Sequence, residues 1–221
     1  MTEKKEYPLP FLERLPKVTS ATNQPFLILL HGRAAKAETI FSIEGLLDPS
    51  FHIVAIQAPY NSSKGDFEWF LPYDYDHPLE SFSEEHFRES EEILTMQIQE
   101  MTIERNVQPE QLFIGGFSQG AAMCHILSLR GNITPRGVLA MSGFFPRPLL
   151  NWTLPKKLSS YLITHGNNDD ILPVYESVFA FEFYKQHNIA VEFYEYSGRH
   201  KMTIPLLNKL NDWVKGINHR E

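Results

Sequence analysis

Short runs of consecutive apolar residues alternate along the chain with longer segments in which apolar residues recur every three or four positions. A continuous apolar run that ends at glycine or proline is typical of a strand buried on both faces, whereas the longer spacing indicates an amphipathic helix. The runs predict strands at 26–30, 53–58, 112–114, 138–141, 161–164 and 191–196. The spaced segments predict helices at 37–46, 83–105, 119–129, 174–187 and 203–217.

This alternation predicts an α/β fold with a mostly parallel central sheet and helices on both of its faces. Residues 26–221 show no internal repeat and no linker, and they are predicted to form a single domain. Residues 1–25 contain four prolines and are predicted to form an extended N-terminal arm. In such a sheet, functional groups collect where the strands end at their carboxyl edge.

The amino-acid composition of the chain disfavours several classes of function. The net charge of −7 disfavours binding to nucleic acid, because an acidic surface repels the phosphate backbone. A single cysteine excludes an internal disulfide and any multi-cysteine metal site, as is typical of a reducing compartment. We find no signal peptide and no apolar run long enough to cross a bilayer, so we expect a cytoplasmic protein without stable membrane insertion.

The pentapeptide Gly116-Phe117-Ser118-Gln119-Gly120 has the form G-x-S-x-G and lies between a predicted strand and a predicted helix. In that context the serine occupies a sharp, strained turn that lifts its hydroxyl clear of the sheet, and side chains at the glycine positions would clash. The pattern alone would arise by chance in roughly one chain in fifteen of this length. The flanking elements make it specific, and Ser118 is predicted to be a nucleophile.

Two later strands end in residues suited to the other members of a Ser-His-Asp triad. Asp169 and Asp170 follow the strand at 161–164, and His200 follows the strand at 191–196, in the chain order that this fold requires. The carboxylate would fix the tautomer of the imidazole, whose other nitrogen would take the serine proton. Both aspartates also suit a solvated turn, so the residues alone leave the identity of the acid open.

An oxyanion hole needs two backbone N–H groups. One comes from the residue after the nucleophile, which is Gln119, and the other comes from the loop after an early strand. Arg33, which follows His31-Gly32 at the end of the first predicted strand, is the candidate for the second donor. The ring of His31 is predicted to brace this loop rather than to take part in catalysis.

These segments resemble the small carboxylesterase, phospholipase and acyl-protein thioesterase family of α/β-hydrolases. The resemblance covers about residues 26–217 and includes the family's G-G-F-S-Q-G-A segment at 115–121. It also includes the family's H-G-x-x-D-x-x-x-P segment at 165–173, which implies that Asp169 is the acid. The remaining matches are L-H-G at 30–32, a serine-glycine strand end at 140–143, and Y-x-G-x-H at 196–200.

The resemblance implies a serine hydrolase without a large lid, without a metal and without a cofactor. Its substrate would be a small molecule: a carboxylic ester, a lysophospholipid or a thioester with a hydrophobic acyl part, cleaved through an acyl-enzyme. One departure concerns the first loop, where the family has H-G-x-G and this chain has Arg33-Ala34-Ala35. Because alanine resists a positive φ, this loop must take another path or accept strain.

That departure is the only support for an alternative function, a non-catalytic protein of the same fold that binds a small apolar ligand. An acyl-binding slot is predicted from aromatic residues near two strand ends: Trp69, Phe70, Tyr73 and Phe144. The competing interpretation is that the aromatic loop at 67–75 packs beneath the helix that follows it. The oligomeric state is left open, with a homodimer as one alternative.

Overall fold

The computed structural model describes residues 6–18, 24–74, 82–130, 133–147 and 154–218. The strands are β1 Phe11–Arg14, β2 Phe26–Leu30, β3 His52–Ile56, β4 Tyr60–Asn61, β5 Phe67–Glu68, β6 Leu112–Phe117, β7 Gly137–Met141, β8 Ser160–Gly166 and β9 Val191–Tyr196. The α-helices are α1 Ala37–Phe41, α2 Glu84–Glu104, α3 Gln119–Leu129, α4 Tyr175–Gln186 and α5 Ile204–Asn218.

Seven strands form one sheet in the order β1-β3-β2-β6-β7-β8-β9. All neighbouring pairs are parallel except β1 and β3, which pair antiparallel at one edge. Every residue of β2 and β7 is buried, as expected for strands covered on both faces. Two hydrophobic clusters lie on opposite faces of the sheet, so the predicted layered architecture is confirmed.

Apart from shifts of one to three residues at the ends of several strands and helices, the structure differs from the sequence prediction mainly in three places. The first helix ends at Phe41, and a separate 3₁₀ turn spans Glu44–Leu46, where the weak helix former Gly45 lies. Within the predicted N-terminal arm, β1 joins the sheet. A two-stranded hairpin of β4 and β5 lies in the segment after the strand at 53–58, for which no strand was predicted. The boundary between arm and domain stays a prediction.

None of the helices in the described ranges combines the length and the apolar character that a membrane span requires. The carboxyl ends of the parallel strands lie along one edge of the sheet. The segments that follow β2, β6, β8 and β9 there contain Arg33, Ser118, Asp169 and His200, respectively.

Candidate active site

Ser118 lies between β6 and α3 with φ of 55° and ψ of −115°, a region that L-residues rarely adopt. The neighbouring glycines make this sharp turn feasible. A Cβ atom on Gly116 would lie 2.2 Å from the backbone of Gly120, and one on Gly120 would lie 2.2 Å from the carbonyl oxygen of Leu30. The turn therefore requires glycine at both positions, as the sequence pattern indicated.

Asp169 and His200 are joined by a hydrogen bond of 2.6 Å between the imidazole Nδ1 and the carboxylate Oδ2. The other carboxylate oxygen accepts the backbone N–H groups of Ile171 and Leu172, each at 2.9 Å. The Asp169 side chain is completely buried and that of His200 is 13% exposed. These contacts orient the imidazole and give it the tautomer in which Nε2 is free to accept a proton.

Asp170 lies in a different environment from Asp169. Its carboxylate is exposed to solvent and forms an ion pair with Arg199. The hydrogen bond from the guanidinium lowers the pKa of the Asp170 carboxyl below its usual range. The structure thus places Asp169, and not Asp170, beside the imidazole.

The loops that carry the acid and the base are fastened to each other. The backbone N–H of Asn168 donates to the carbonyl of Gly198 at 2.9 Å, and that of Asn167 donates to the carbonyl of Tyr196 at the same distance. The Tyr196 hydroxyl donates to the carbonyl of Lys201, which follows His200. The first two contacts cross between the loops and the third lies within the loop of His200, so together they hold the segments that carry Asp169 and His200 beside each other.

A cavity of about 130 Å³ lies beside Ser118. Ser118, His200 and Arg33 all line this cavity, so the structure brings together the predicted nucleophile, base and oxyanion loop. The rest of its wall is mainly apolar and is formed by Gly32, Ala35, Ile40, Phe117 and Met202, together with the polar residues His31 and Thr39. The ring of Phe117 packs against that of His200 with centroids 4.8 Å apart.

The loop after β2 accepts backbone strain, which was one of the two outcomes expected for alanine at these positions. Ala34 has φ of 50°, and Ala35 is held by two backbone hydrogen bonds with Phe67 of the hairpin. His31 braces the start of the loop: its Nδ1–H donates to the carbonyl of Gly32, and its Nε2 accepts the N–H of Ala58. Burial lowers the pKa of His31 to about 4, so its ring is neutral near pH 7.

Gln119 begins α3, where the backbone N–H has no acceptor within the helix. Its side chain has a role that the sequence did not reveal. The amide oxygen accepts the backbone N–H of Trp69, and the amide nitrogen donates to the carbonyl of Phe70, both at 2.7 Å. The Trp69 indole in turn donates to the carbonyl of His31. These bonds tie the aromatic loop to both sides of the site.

The residues predicted to line an acyl slot lie mostly in the core. Trp69, Phe70 and Phe144 are buried, and Phe70 stacks on Phe87 of α2 with ring centroids 4.7 Å apart. Tyr73 is 77% exposed. None of the four lines the cavity beside Ser118. These positions match the competing interpretation, packing beneath the helix, because large aromatic rings gain most from complete burial. Their part in a substrate pocket stays a prediction.

His165 is a further site residue to which sequence reasoning gave no role. It is completely buried at the end of β8. Its Nε2–H points to the carbonyl of Leu172 at 2.9 Å and to Oδ2 of Asp169 at 3.2 Å, while Nδ1 accepts from the Ser177 hydroxyl. The sequence feature that could have indicated this contact is a histidine four residues before the acid.

Comparison with known proteins identifies relatives of the chain. A family model described as Phospholipase/Carboxylesterase matches residues 17–217. The protein named acyl-protein thioesterase 1 of Saccharomyces cerevisiae is 27% identical over 146 residues, which is 62% of each chain. The match thus spans less than two thirds of that relative's length.

Solved structures resemble the fold over nearly its full extent. The crystal structure of esterase PE8 superposes with a TM-score of 0.78 and 21% identity, covering 95% of this chain and 98% of that one. The carboxylesterase of Bacillus cereus gives a TM-score of 0.81 and 18% identity, covering 95% and 94%. The predicted α/β-hydrolase fold is confirmed.

Proposed function

Because the chain belongs to the phospholipase/carboxylesterase family, we propose that it is a serine hydrolase that cleaves carboxylic esters through a Ser118-His200-Asp169 triad. One observation carries this proposal. Asp169 and His200 form a hydrogen-bonded pair, and His200 lines the same cavity as the strained Ser118. A nucleophile, a base and an orienting acid in this order are the parts that acyl transfer needs.

In the proposed reaction, the Ser118 hydroxyl attacks the ester carbonyl carbon while His200 Nε2 takes its proton. The carbonyl oxygen becomes an oxyanion, which the backbone N–H groups of Gln119 and Arg33 stabilise. The C–O bond then breaks, and His200 returns the proton to the departing alcohol. Water attacks the resulting acyl-serine by the same route, releasing the acid and restoring the serine.

The cavity indicates the size of the group that it accepts. Its volume of about 130 Å³ is well below the roughly 300–1,000 Å³ of pockets for drug-sized ligands. The apolar wall of Ile40, Phe117 and Met202 suits a short hydrophobic chain. Thioesters and lysophospholipids share the attacked carbonyl and remain within the proposal, since they differ mainly in the leaving group.

The proposal is tested with a series of para-nitrophenyl esters from acetate to palmitate and with a fluorophosphonate probe. We expect hydrolysis with an optimum at short acyl chains, labelling of the native protein, and loss of both in Ser118→Ala. Ser197→Ala removes an exposed serine hydroxyl three residues before His200 and serves as the matched control.

Absence of both hydrolysis and labelling in the native protein would contradict the proposal. The alternative of a non-catalytic protein that binds a small apolar ligand would then be favoured. Labelling that persists in Ser118→Ala would instead place the nucleophile elsewhere.

A further inference from the structure

Arg33 differs from the other described arginines in having no partner. Its Nη1 is buried and makes no hydrogen bond, and no ion pair joins its guanidinium to any residue of the described ranges. The others are all engaged. Arg136 donates to the carbonyl of Ile217, and six pair with carboxylates: Arg14, Arg88, Arg105, Arg130, Arg147 and Arg199.

Arg33, whose guanidinium has this unpartnered Nη1, is one of the residues that line the cavity containing Ser118 and His200. A buried donor without an acceptor is unfavourable, and this is more so for a charged group beside apolar walls. A guanidinium presents its N–H groups as a planar fork that matches the two oxygens of a carboxylate. An anion entering this cavity would supply the acceptor that Arg33 lacks.

The surrounding charges leave this cation free to act on a ligand. Of the carboxylates close to the loop in sequence or through the hairpin, Asp66 pairs with Lys36 at 3.2 Å and Glu38 is exposed on α1. No ion pair joins either carboxylate to Arg33. Because the whole chain has a net charge of −7, an anionic substrate needs a local cation of this kind.

We propose that Arg33 selects esters that carry a carboxylate a few bonds from the scissile carbonyl, such as monoesters of short dicarboxylic acids. This inference rests on the proposed function and specifies its substrate class. The small cavity favours a short chain ending in a carboxylate over a bulky anionic head group. The guanidinium binds the carboxylate while the ester carbonyl lies at Ser118.

The test compares the para-nitrophenyl monoester of glutaric acid with para-nitrophenyl pentanoate, which has a methyl group in place of the carboxylate. We expect native protein to favour the anionic ester at least tenfold in kcat/KM at low salt, and less at high salt. In Arg33→Gln that ratio falls at least tenfold, and in Arg33→Lys it falls less. The ratio cancels any loss that both esters share through the oxyanion loop.

Lys36→Met is the matched control, because it removes one positive charge from the same loop without altering the cavity wall. It is expected to keep the ratio of the native protein. A ratio near one in the native protein, or one that Arg33→Gln leaves unchanged, would overturn the inference while hydrolysis of pentanoate upholds the proposed function.

Binding of glutarate, measured by calorimetry on the native protein, separates the two proposals. Binding that is lost in Arg33→Gln and retained in Lys36→Met supports recognition by Arg33 even in a protein that hydrolyses neither ester. Glutarate binding that is equal in native protein and Arg33→Gln would overturn the inference whatever the esterase result.

Discussion

At the scale of single residues, different surroundings give chemically identical side chains different roles. Asp169 and Asp170 are neighbours in sequence, yet one is completely buried against His200 and the other pairs with Arg199 at the surface. A buried carboxylate with fixed hydrogen bonds holds the imidazole in one tautomer and one orientation. The proposed mechanism therefore gives Asp169 the role of the acid and gives Asp170 no role in catalysis.

Asp169→Asn is expected to lower kcat for a para-nitrophenyl ester about 10³–10⁴-fold, because the amide favours the wrong imidazole tautomer. Asp170→Asn is its control and is expected to change kcat less than threefold, since it breaks only an exposed ion pair that solvent screens. Steady-state kinetics and circular dichroism of both variants provide the check. Equal losses in the two variants would contradict the assignment of the acid.

His165 is expected to act as a positioning residue for Asp169, because its Nε2–H reaches both the acid and the carbonyl of Leu172. His165→Leu should lower kcat by about tenfold to a hundredfold with little change in KM. His165→Gln offers a donor at a similar place and should restore much of the rate. A Gln variant as slow as the Leu variant, at equal thermal stability, would argue against this role.

At the scale of elements, the crossing of α3 over β2 depends on glycine. Gly120→Ala would place a methyl group 2.2 Å from the Leu30 carbonyl oxygen, so we expect a loss of about 3 kcal/mol in the free energy of unfolding. Gly45→Ala is the matched control, because a Cβ atom there meets nothing within 4 Å. Urea denaturation of the two variants tests this difference. Similar stabilities would mean that the helix shifts at little cost.

The elements that the sequence predicted are those with strong periodicity. The runs at 26–30 and 191–196 became β2 and β9 with the same bounds, although only β2 is buried along its whole length. The glycine-flanked Ser118 lies where the pattern placed it. The two-residue strands β4 and β5 are too short to show any period. β1 pairs at the sheet edge through backbone hydrogen bonds, which proline-rich flanks conceal.

The site was less predictable than the fold wherever a role depends on tertiary contacts. Hydrophobicity alone does not distinguish an aromatic residue that lines a pocket from one that fills the core, so it could not settle the position of Trp69. The same holds for Gln119, whose amide contacts residues 50 positions away. That Arg33 has no ion pair with any described residue likewise depends on tertiary contacts, which no sequence pattern encodes.

At the scale of the whole molecule, three buried histidines link folding to pH. Burial lowers the pKa of His31 to about 4 and that of His125 to about 3, and it also lowers the pKa of His165. In the unfolded chain these groups titrate near 6.5. Between pH 6.5 and about 4 the unfolded chain binds more protons than the folded one, so the free energy of unfolding decreases as pH falls.

His125→Asn removes one of these groups while offering an amide to the Tyr184 hydroxyl, which contacts His125 Nδ1 at 2.7 Å. We expect the slope of unfolding free energy against pH to be smaller in the variant by about 1 kcal/mol per pH unit over this window. Urea denaturation at successive pH values measures both slopes. Identical slopes would show that His125 is already protonated in the folded protein.

Residues with positive φ at the site lower the stability of the protein, yet one of them is needed for the proposed catalysis. The described non-glycine residues in this region divide into Asp66, Asn106 and Asn188, whose side chains tolerate it, and Ala34, Ser118 and Ser142 at the edge of the sheet. Backbone strain of this kind costs of order 1–3 kcal/mol at each position. Glycine at position 118 would relieve it and remove the nucleophile at once. A laboratory selection for thermal survival alone would therefore drift toward inert proteins, and one that aims to preserve the chemistry must score both properties in every round.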